Sequence, residues 1–497
     1  MLLASLQLTD NQFTYPLDDT YIHLSIARSI QENGNWGPSS FQFQNSSSSP
    51  AFTALLSVAH GLGINSVYLP LFINVIAGLL WIWVISKMVF YSTHHVLRYG
   101  IFLGIIILLT PLPLLTLLGM EHILHLLMAT LFLREASYKL EKPSTHPNGM
   151  LIITGILMCL FRYEGLFIIL AFGVVGLANR NWRSIILPIA AACLALFLLG
   201  LFMLSQGGTI LPISVLGKSQ GTELVQGNIS YWLWKAVSNL YDNPFMLILI
   251  LCNLTIWIMQ ILKSGGILQF WIPIWLIGTL LHLMFAEVGG YRYEAYLIGL
   301  GLLVIPLYFL SESFIPVFTL QQKQIFVLLV AFLVFPLLIR SVFFSANYPV
   351  FCQNIYQQSV QVGKFLERHY QEESIALNDI GAGTYFGQIQ LTDMVGIGDQ
   401  EVFKIRQQDQ YTADQIQELT EARQSRIAIV HDIWVGSVIP TTWLKMATYT
   451  IPDNVICADA SMSFYACSTK EQEHLKQALV DFKQRIPKGT TLKLFFE

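Results

Sequence analysis

The chain of 497 residues is 54% hydrophobic and only 12% charged, with a mean hydropathy of +0.56. A soluble protein of this length would carry about twice that charged share, so the composition indicates a polytopic membrane protein with some soluble mass. A formal net charge of −3 gives no basic surface for nucleic acid. The six cysteines show no CxxC or metal-ligand spacing, which argues against a cysteine-based metal site.

Hydrophobic segments begin soon after the N-terminus. Residues 1–8 are apolar but lack a basic start and a cleavage site, so we expect no cleavable signal peptide. They are far shorter than the roughly 20 residues that span a bilayer, and they would fit the tail of a first span that begins upstream. Further along, hydropathy predicts spans at 69–90, 99–117, 120–134, 149–162, 164–178, 184–204, 244–263, 267–287, 292–311 and 324–342.

Basic residues follow every second span, which predicts the orientation of the loops. These residues are Lys87, Arg98, Arg134, Lys139, Lys142, Arg180, Arg183, Lys263 and Lys323. By the positive-inside rule their loops are cytoplasmic. Residues 1–343 are therefore expected to form a transmembrane domain with large outer loops at 10–68 and 205–243, and everything after 343 is expected outside.

Residues 344–497 change character, because charged residues and glutamines return and the apolar runs shorten. Helical and strand-like patterns alternate there, which predicts a soluble α/β domain. Cys457 and Cys467 flank a predicted hairpin, where either a disulfide or two free thiols would fit. The predicted helices are 353–370, 413–423 and 470–485, and the predicted strands are 374–380, 426–431, 463–467 and 491–496.

Two adjacent carboxylates, Asp18 and Asp19, precede a helical pattern in the first outer loop, where Ile22, Ile26 and Ile30 recur at helical spacing. Carboxylates at the edge of a bilayer are costly unless they are solvated, paired or used. One role is helix capping, in which an aspartate accepts the unpaired N–H groups of the first turn. The other role is general-base catalysis by whichever carboxylate is not capping.

Further charged residues fall on the same predicted side of the membrane. Either they form ion pairs that stabilise packing, or Arg and Lys hold a phosphate leaving group while a carboxylate activates an acceptor hydroxyl. Their gathering on one face favours the second interpretation, with a lipid phosphate as donor. The segments are Gly119-Met120-Glu121-His122, Arg162-Tyr163-Glu164-Gly165, Lys218 in the second large loop, and Arg292-Tyr293-Glu294.

The first-loop segment, from Asp18-Asp19-Thr20-Tyr21 to Ser49-Pro50, resembles the first outer loop of bacterial GT-C glycosyltransferases. These are polytopic enzymes that use polyprenyl-phosphate sugars, and the mycobacterial arabinofuranosyltransferases are among them. The segments around Glu121, Arg162 and Arg292, and the segment Asn378-Asp379-Ile380-Gly381-Ala382, are similar to further patches of that group. The chain departs from the family in its short or absent first span and in a serine run before Pro50.

The resemblance implies a GT-C-like fold of about 10–11 spans in a bacterial cytoplasmic membrane. It also implies inverting transfer from a polyprenyl-phosphate sugar to a glycan, lipid or protein acceptor outside. An aspartate would be the base, and we favour Asp18, with Asp19 as cap or acceptor holder. Arg162, Lys218 and Arg292 would bind phosphate, and Glu121, His122, Tyr21, Glu164 and Glu294 would position sugar or acceptor. Some relatives bind a divalent cation, but nothing in this sequence requires one.

Other readings compete with this one. His122 and His125 share a helical face, yet two histidines without a third ligand are more typical of packing than of a metal site. We interpret Tyr385 and Asp393 as structural residues at a strand-to-turn junction. A transporter or flippase for a lipid-linked sugar would place charged residues at mid-membrane. Few titratable residues fall in the middle of the predicted spans, and His282 is the main exception. A non-catalytic scaffold would need no cluster of charges at all.

Overall fold

The computed structural model describes residues 1–39, 42–90, 96–143, 147–218, 228–263, 266–309, 320–408 and 410–496. The first 355 residues form helices and loops. The helices are α1 (Leu2–Leu8), α2 (Asp19–Asn33), α3 (Pro50–Gly61), α4 (Leu69–Phe90), α5 (Val96–Leu109), α6 (Leu112–Leu117), α7 (His122–Glu141), α8 (Gly149–Phe161), α9 (Gly165–Ala178), α10 (Trp182–Ser205), α11 (Ile213–Lys218), α12 (Ile229–Asp242), α13 (Pro244–Lys263), α14 (Leu268–Phe285), α15 (Ala295–Phe309) and α16 (Leu320–Ile355).

Five helices within the described residues are long and apolar enough to cross a membrane, which indicates membrane association. They are Leu69–Phe90, Trp182–Ser205, Pro244–Ile261, Leu268–Phe285 and the long helical stretch Leu328–His369. Each overlaps a predicted span. Four further apolar helices of 10–17 residues, Tyr99–Leu109, Gly149–Phe161, Gly165–Ala178 and Ala295–Phe309, also fall in predicted spans.

Two predictions about the helices need correction. The predicted span 99–117 is broken, because α5 ends at Leu109 and α6 starts after Pro111, which has no N–H to continue the helix. The predicted start of the soluble domain at residue 344 falls inside α16, which continues to Ile355. A π-helical turn, Tyr356–Val360, then leads into α17 (Gln361–His369), so the helical path enters the C-terminal part without a linker.

The C-terminal part is a six-stranded mixed sheet with helices, as the alternating patterns predict. Its strand order is β2-β1-β3-β5-β4-β6. β2, β1 and β3 are parallel, and β5, β4 and β6 continue antiparallel. The elements are β1 (Ser374–Leu377), α18 (Gly381–Gly387), β2 (Gln390–Asp393), α19 (Gln400–Gln407), α20 (Ala413–Ala422), β3 (Ile427–Val430), α21 (Asp432–Val435), β4 (Leu444–Thr450), β5 (Ser461–Ala466), α22 (Gln472–Lys483) and β6 (Thr491–Leu494).

The sequence patterns located four of the six strands. They missed β2 and β4, whose apolar runs are too short and too mixed with polar residues to be recognised. β5 lies between Cys457 and Cys467, but its hairpin partner is β4, which lies before Cys457 and was not predicted, and both cysteines are free thiols. Of the two alternatives for this cysteine pair, a disulfide or two free thiols, the structure shows two free thiols.

Helix α2 joins the N-terminal helices to the sheet, because it packs against both α3 and α18. The side chain of Arg28 on α2 donates to the backbone oxygens of Thr384 and Tyr385 at the end of α18, at 3.1 and 2.7 Å. At the other end of α18, the Asp18 carboxylate accepts from the backbone N–H groups of Gly381 and Ala382, at 2.5 and 2.8 Å. Since helix ends leave such backbone groups unpaired, α2 satisfies both ends of α18.

Chain segments pack so closely around Asp18 that two positions there require glycine. Gly119 has a φ of +70°, and a Cβ there would lie 2.6 Å from Tyr15 Cδ1 and 2.8 Å from Thr20 Cγ2. A Cβ at Gly381 would lie 2.6 Å from Asp18 Cγ. The first loop, the turn before α7 and the sheet therefore meet at one point.

We expect Gly119→Ala to lower the thermal unfolding midpoint of the detergent-solubilised protein substantially. The left-handed backbone costs an alanine about 1–2 kcal/mol, and the overlap with Tyr15 and Thr20 adds to that cost. Gly34→Ala is the matched control, because Gly34 also has a φ of +70° but has no atom within 4 Å of the added Cβ. Equal losses in the two variants would contradict close packing at Gly119.

Candidate functional site

Two adjoining cavities meet at Arg162: the first lies among the N-terminal helices and loops, and the second lies between them and the sheet. The first has a volume of about 1140 Å³, including its open mouth. Its wall is largely apolar, with side chains from α9 and the end of α14, and it also contains the charged residues Arg162, Glu164 and Lys235. The second encloses about 800 Å³ and is more polar, with Asp19, Arg292 and Asp379 in its wall. Four residues line both cavities, so a single elongated ligand would fit across them; they are Ser48, Arg162, Ser214 and Tyr293.

Asp18 and Asp19 occupy different environments although they are adjacent. Asp18 is only 8% exposed, and both of its carboxylate oxygens accept backbone N–H groups of α18. Burial, together with the neighbouring Asp379 carboxylate, raises the pKa of Asp18 well above its ordinary value. Asp18 makes no side-chain cap for its own helix, α2, and instead caps a helix from the C-terminal part. The preference for Asp18 as base therefore does not fit this geometry.

Asp19 lines the polar cavity and is the better-placed carboxylate. Its Oδ2 atom pairs with Arg292 at 2.8 Å, and its side chain is 40% exposed. Arg292 also donates to the hydroxyl of Tyr293 at 3.0 Å. Burial alone would lower the pKa of Arg292, but Asp19 and the neighbouring tyrosines outweigh it and raise that pKa. The ion pair places the Asp19 carboxylate at the cavity wall.

Arg162 is the centre of a buried ion-pair network. It pairs with Glu121 at 2.6 Å and with Glu164 at 2.5 Å. The other oxygen of Glu121 lies 3.6 Å from His23 Nε2, and His23 Nδ1 lies 2.9 Å from the hydroxyl of Thr53. The ring of Tyr293 lies between the two guanidinium groups, with Arg162 Cζ and Arg292 Cζ at 5.5 and 4.9 Å from its centroid. The predicted residues of three separate turns therefore do meet at one place.

The opposite wall of the polar cavity comes from the sheet. Asn378 and Asp379 follow β1, Asp393 ends β2, and Trp434 lies in the turn after β3. These strands are parallel, so their carboxyl ends meet at one edge, which is where ligands bind in sheets of this kind. Asp393 was predicted to be structural, and it does hold its loop by accepting from the N–H groups of Val395 and Gly398 at 2.8 and 2.6 Å.

Several predicted site residues lie away from the cavity surface. Tyr21 is fully buried, and its ring packs against Tyr385 and Phe386. Glu294 is buried in an ion pair with Arg340 and accepts from the N–H of Gly289. Neither side chain contributes to either cavity wall, because each is committed to packing between elements.

Glu121 and His122 are buried beneath the cavity surface. Glu121 reaches the cavity through Arg162 and His23, and the His122 ring packs edge-on to Tyr293, at 6.3 Å. The His125 ring faces Tyr296 at 4.5 Å. The side chain of Lys218, which ends α11, lies outside the described residues.

Some cavity residues were missed by the sequence patterns. Lys235 lies on α12 and faces the apolar cavity; a single lysine in the amphipathic run 229–242 of the second large loop was its signal. His23 lies in the first-loop segment that resembles GT-C enzymes, but no pattern in the sequence predicts a role for it. Trp434 had no distinguishing signal, because its place depends on where strand β3 ends.

Metal ligation was also considered. In the part of the chain that the structure describes, no group of three or more His, Cys, Asp or Glu side chains is arranged to hold a metal ion. Glu121 and Asp19 pair with guanidinium groups, Asp18 and Asp393 accept from backbone N–H groups, and Asp379 accepts from the Ser359 hydroxyl.

Residues 353–465 match a family described as a domain of unknown function, DUF8728. The match begins near the end of α16 and includes β1 to β5, so it covers most of the sheet and its cavity wall. A search of curated proteins found no match.

We expect Asp18→Ala to accelerate amide hydrogen exchange in α18 at least ~10-fold, as measured by mass spectrometry on the intact protein. The substitution leaves two buried N–H groups without acceptors, at a cost of about 1–3 kcal/mol each. Asp19→Ala is the control, because it makes the same change one residue further along and touches neither N–H group. Unchanged exchange of α18 in Asp18→Ala would contradict the capping role.

A second prediction concerns Asp393, whose pKa burial raises from 3.8 to about 6. A carboxyl with a higher pKa in the folded protein binds its proton more tightly there. Its contribution to stability is therefore full below its unfolded pKa and is lost as the pH rises through about 6. We expect the unfolding midpoint of the wild type, relative to that of Asp393→Asn, to fall across this range. A constant difference between the two proteins would refute the assignment.

Proposed function

We propose that the protein is an inverting membrane glycosyltransferase of GT-C type. It would move a sugar from a polyprenyl-phosphate donor to an acceptor on the outer side of a bacterial cytoplasmic membrane. The observation that carries the proposal is the junction of the two cavities, where Arg162 and Tyr293 separate a largely apolar space from one lined by a carboxylate. That arrangement suits a donor with an apolar tail, an anionic linkage and a sugar.

The donor would lie with its first prenyl units in the apolar cavity, against Leu166 and Phe167 of α9. Positive charge for the phosphate would come from Arg162, which lines both cavities, from Arg292 in the polar cavity and from Lys235 in the apolar cavity. The Glu121 and Glu164 carboxylates hold Arg162 in position, and they also compete with the phosphate for it. Because Arg162 is partly neutralised in this way, Lys235 in the wall of the apolar cavity would supply a further cation for the phosphate.

Asp19 would act as the general base. Its carboxylate takes the proton of an acceptor hydroxyl, and the hydroxyl oxygen attacks the anomeric carbon on the face opposite the phosphate. The new glycosidic C–O bond forms as the bond from the anomeric carbon to the phosphate oxygen breaks. Polyprenyl phosphate leaves with that electron pair, and the neighbouring arginines stabilise its growing negative charge. Inversion follows because attack and departure occur on opposite faces.

The test is transfer by the purified protein in lipid nanodiscs, with a panel of radiolabelled polyprenyl-phosphate sugars and cell-envelope acceptor extracts. We expect transfer by the wild type and a loss of about 100-fold or more in Asp19→Asn, because removal of a general base costs that much. Asp242→Asn is the matched control, since Asp242 is exposed at the end of α12 and lines neither cavity.

Two results would overturn the proposal. If folded Asp19→Asn transfers at the wild-type rate, Asp19 is not the base. If no sugar is transferred but the labelled lipid crosses the bilayer of a proteoliposome, the protein is a flippase instead.

A further inference from the structure

The wall of the polar cavity that the sheet provides has features that the transfer reaction does not use. It lies across the cavity from Arg292 and consists of residues at the carboxyl ends of β1, β2 and β3. The donor phosphate is attracted to the arginines and repelled by the Asp379 and Asp393 carboxylates. The sheet wall is thus suited to a different molecule from the donor.

Asn378 in this wall has a donor that nothing in the described structure satisfies. The residue is only 5% exposed, and its Oδ1 accepts from the N–H of His431 at 3.0 Å. Within the described residues its Nδ2 has no hydrogen-bond partner. An unpaired buried amide is costly, and because Asn378 lines the cavity, a ligand oxygen can remove that cost.

Trp434 adds an aromatic surface to the same wall. It is 51% exposed although it is large and apolar, and it lines the cavity rather than a helix-packing face. The negative face of an indole attracts the weakly positive C–H groups on one face of a sugar ring. An exposed tryptophan beside polar side chains is suited to such a ring.

The carboxylates in the wall supply acceptors for hydroxyl groups. Asp379 accepts from the Ser359 hydroxyl at 3.2 Å, and the two oxygens of Asp393 accept from the backbone N–H groups of Val395 and Gly398. A carboxylate has room for about four hydrogen bonds, so both groups retain capacity. A ligand rich in hydroxyl groups can donate to them, whereas an anionic ligand is repelled.

We propose that this wall, defined by Asn378, Asp379, Asp393 and Trp434, binds the acceptor, and that the acceptor is a neutral carbohydrate. A sugar ring stacks on Trp434, one of its oxygens accepts from Asn378 Nδ2, and its hydroxyl groups donate to the two carboxylates. The inference rests on the proposed function for the role of the bound sugar as acceptor. The binding itself does not depend on it.

The experiment is calorimetric titration of the full-length protein in nanodiscs without any donor. The probes are methyl β-D-glucopyranoside, methyl α-D-mannopyranoside, methyl α-L-arabinofuranoside, chitobiose and the anionic methyl β-D-glucuronide. We expect saturable binding of at least one neutral probe, and at least ~10-fold weaker binding in Trp434→Ala and in Asn378→Asp. Asn378→Asp keeps an oxygen that accepts from His431, replaces the unpaired donor with an acceptor oxygen and adds a carboxylate beside Asp379, so it tests the site without removing that contact.

Trp182→Ala is the matched control, because Trp182 is 50% exposed at the start of α10 and lines neither cavity. Binding of no neutral probe, preferred binding of the glucuronide, or equal binding by wild type and both site variants overturns the inference. Sugar binding that depends on Trp434 in a protein without transferase activity supports the site and rejects the proposed function. Transfer whose acceptor KM is unchanged in Trp434→Ala supports the function and rejects the site.

Discussion

The two hydrogen bonds from Gly381 and Ala382 to the Asp18 carboxylate are the contact on which the candidate site depends. They join residues more than 360 positions apart in the chain. With Arg28 at the other end of α18, they fix α2 against the first helix of the sheet. Because β1 leads directly into α18, the same contact sets the carboxyl end of β1 against the cavity. Asp19 and Asp379 then line the same cavity.

The charges of the ion-pair network beside the cavity can be buried because each has a partner of opposite charge. Two arginines, Arg162 and Arg292, face the three carboxylates of Asp19, Glu121 and Glu164. An isolated charge at this depth would cost several kcal/mol, whereas well-oriented pairs recover most of that cost. The same compensation restricts ligands, since a phosphate reaches Arg162 or Arg292 only by taking over part of an existing pair. Binding and rearrangement of the network are therefore coupled.

Hydropathy and charge predicted much of this architecture, because helix length, apolar runs and alternating strands are local properties. They located the helices that could span a membrane and four of six strands, and they grouped Asp19, Arg162 and Arg292. They could not identify the partner of Asp18, since backbone N–H groups carry no sequence signal. They also could not show that Glu294 and Tyr21 lie outside the cavity walls. Glu294 is paired with Arg340 and Tyr21 is packed against α18, and only the tertiary fold brings these partners together.

The separate roles of Asp18 and Asp19 follow from helix geometry. Successive residues at the start of a helix point about 100° apart, so two adjacent carboxylates cannot both face one cavity. The residue that turns toward α18 becomes part of the fold, and its neighbour faces the ligand. A change at Asp18 therefore reaches the site indirectly, by releasing α18 and moving both Asp19 and Asp379. Loss of activity at Asp18 is consistent with a structural role, and only the state of α18 distinguishes that role from direct participation.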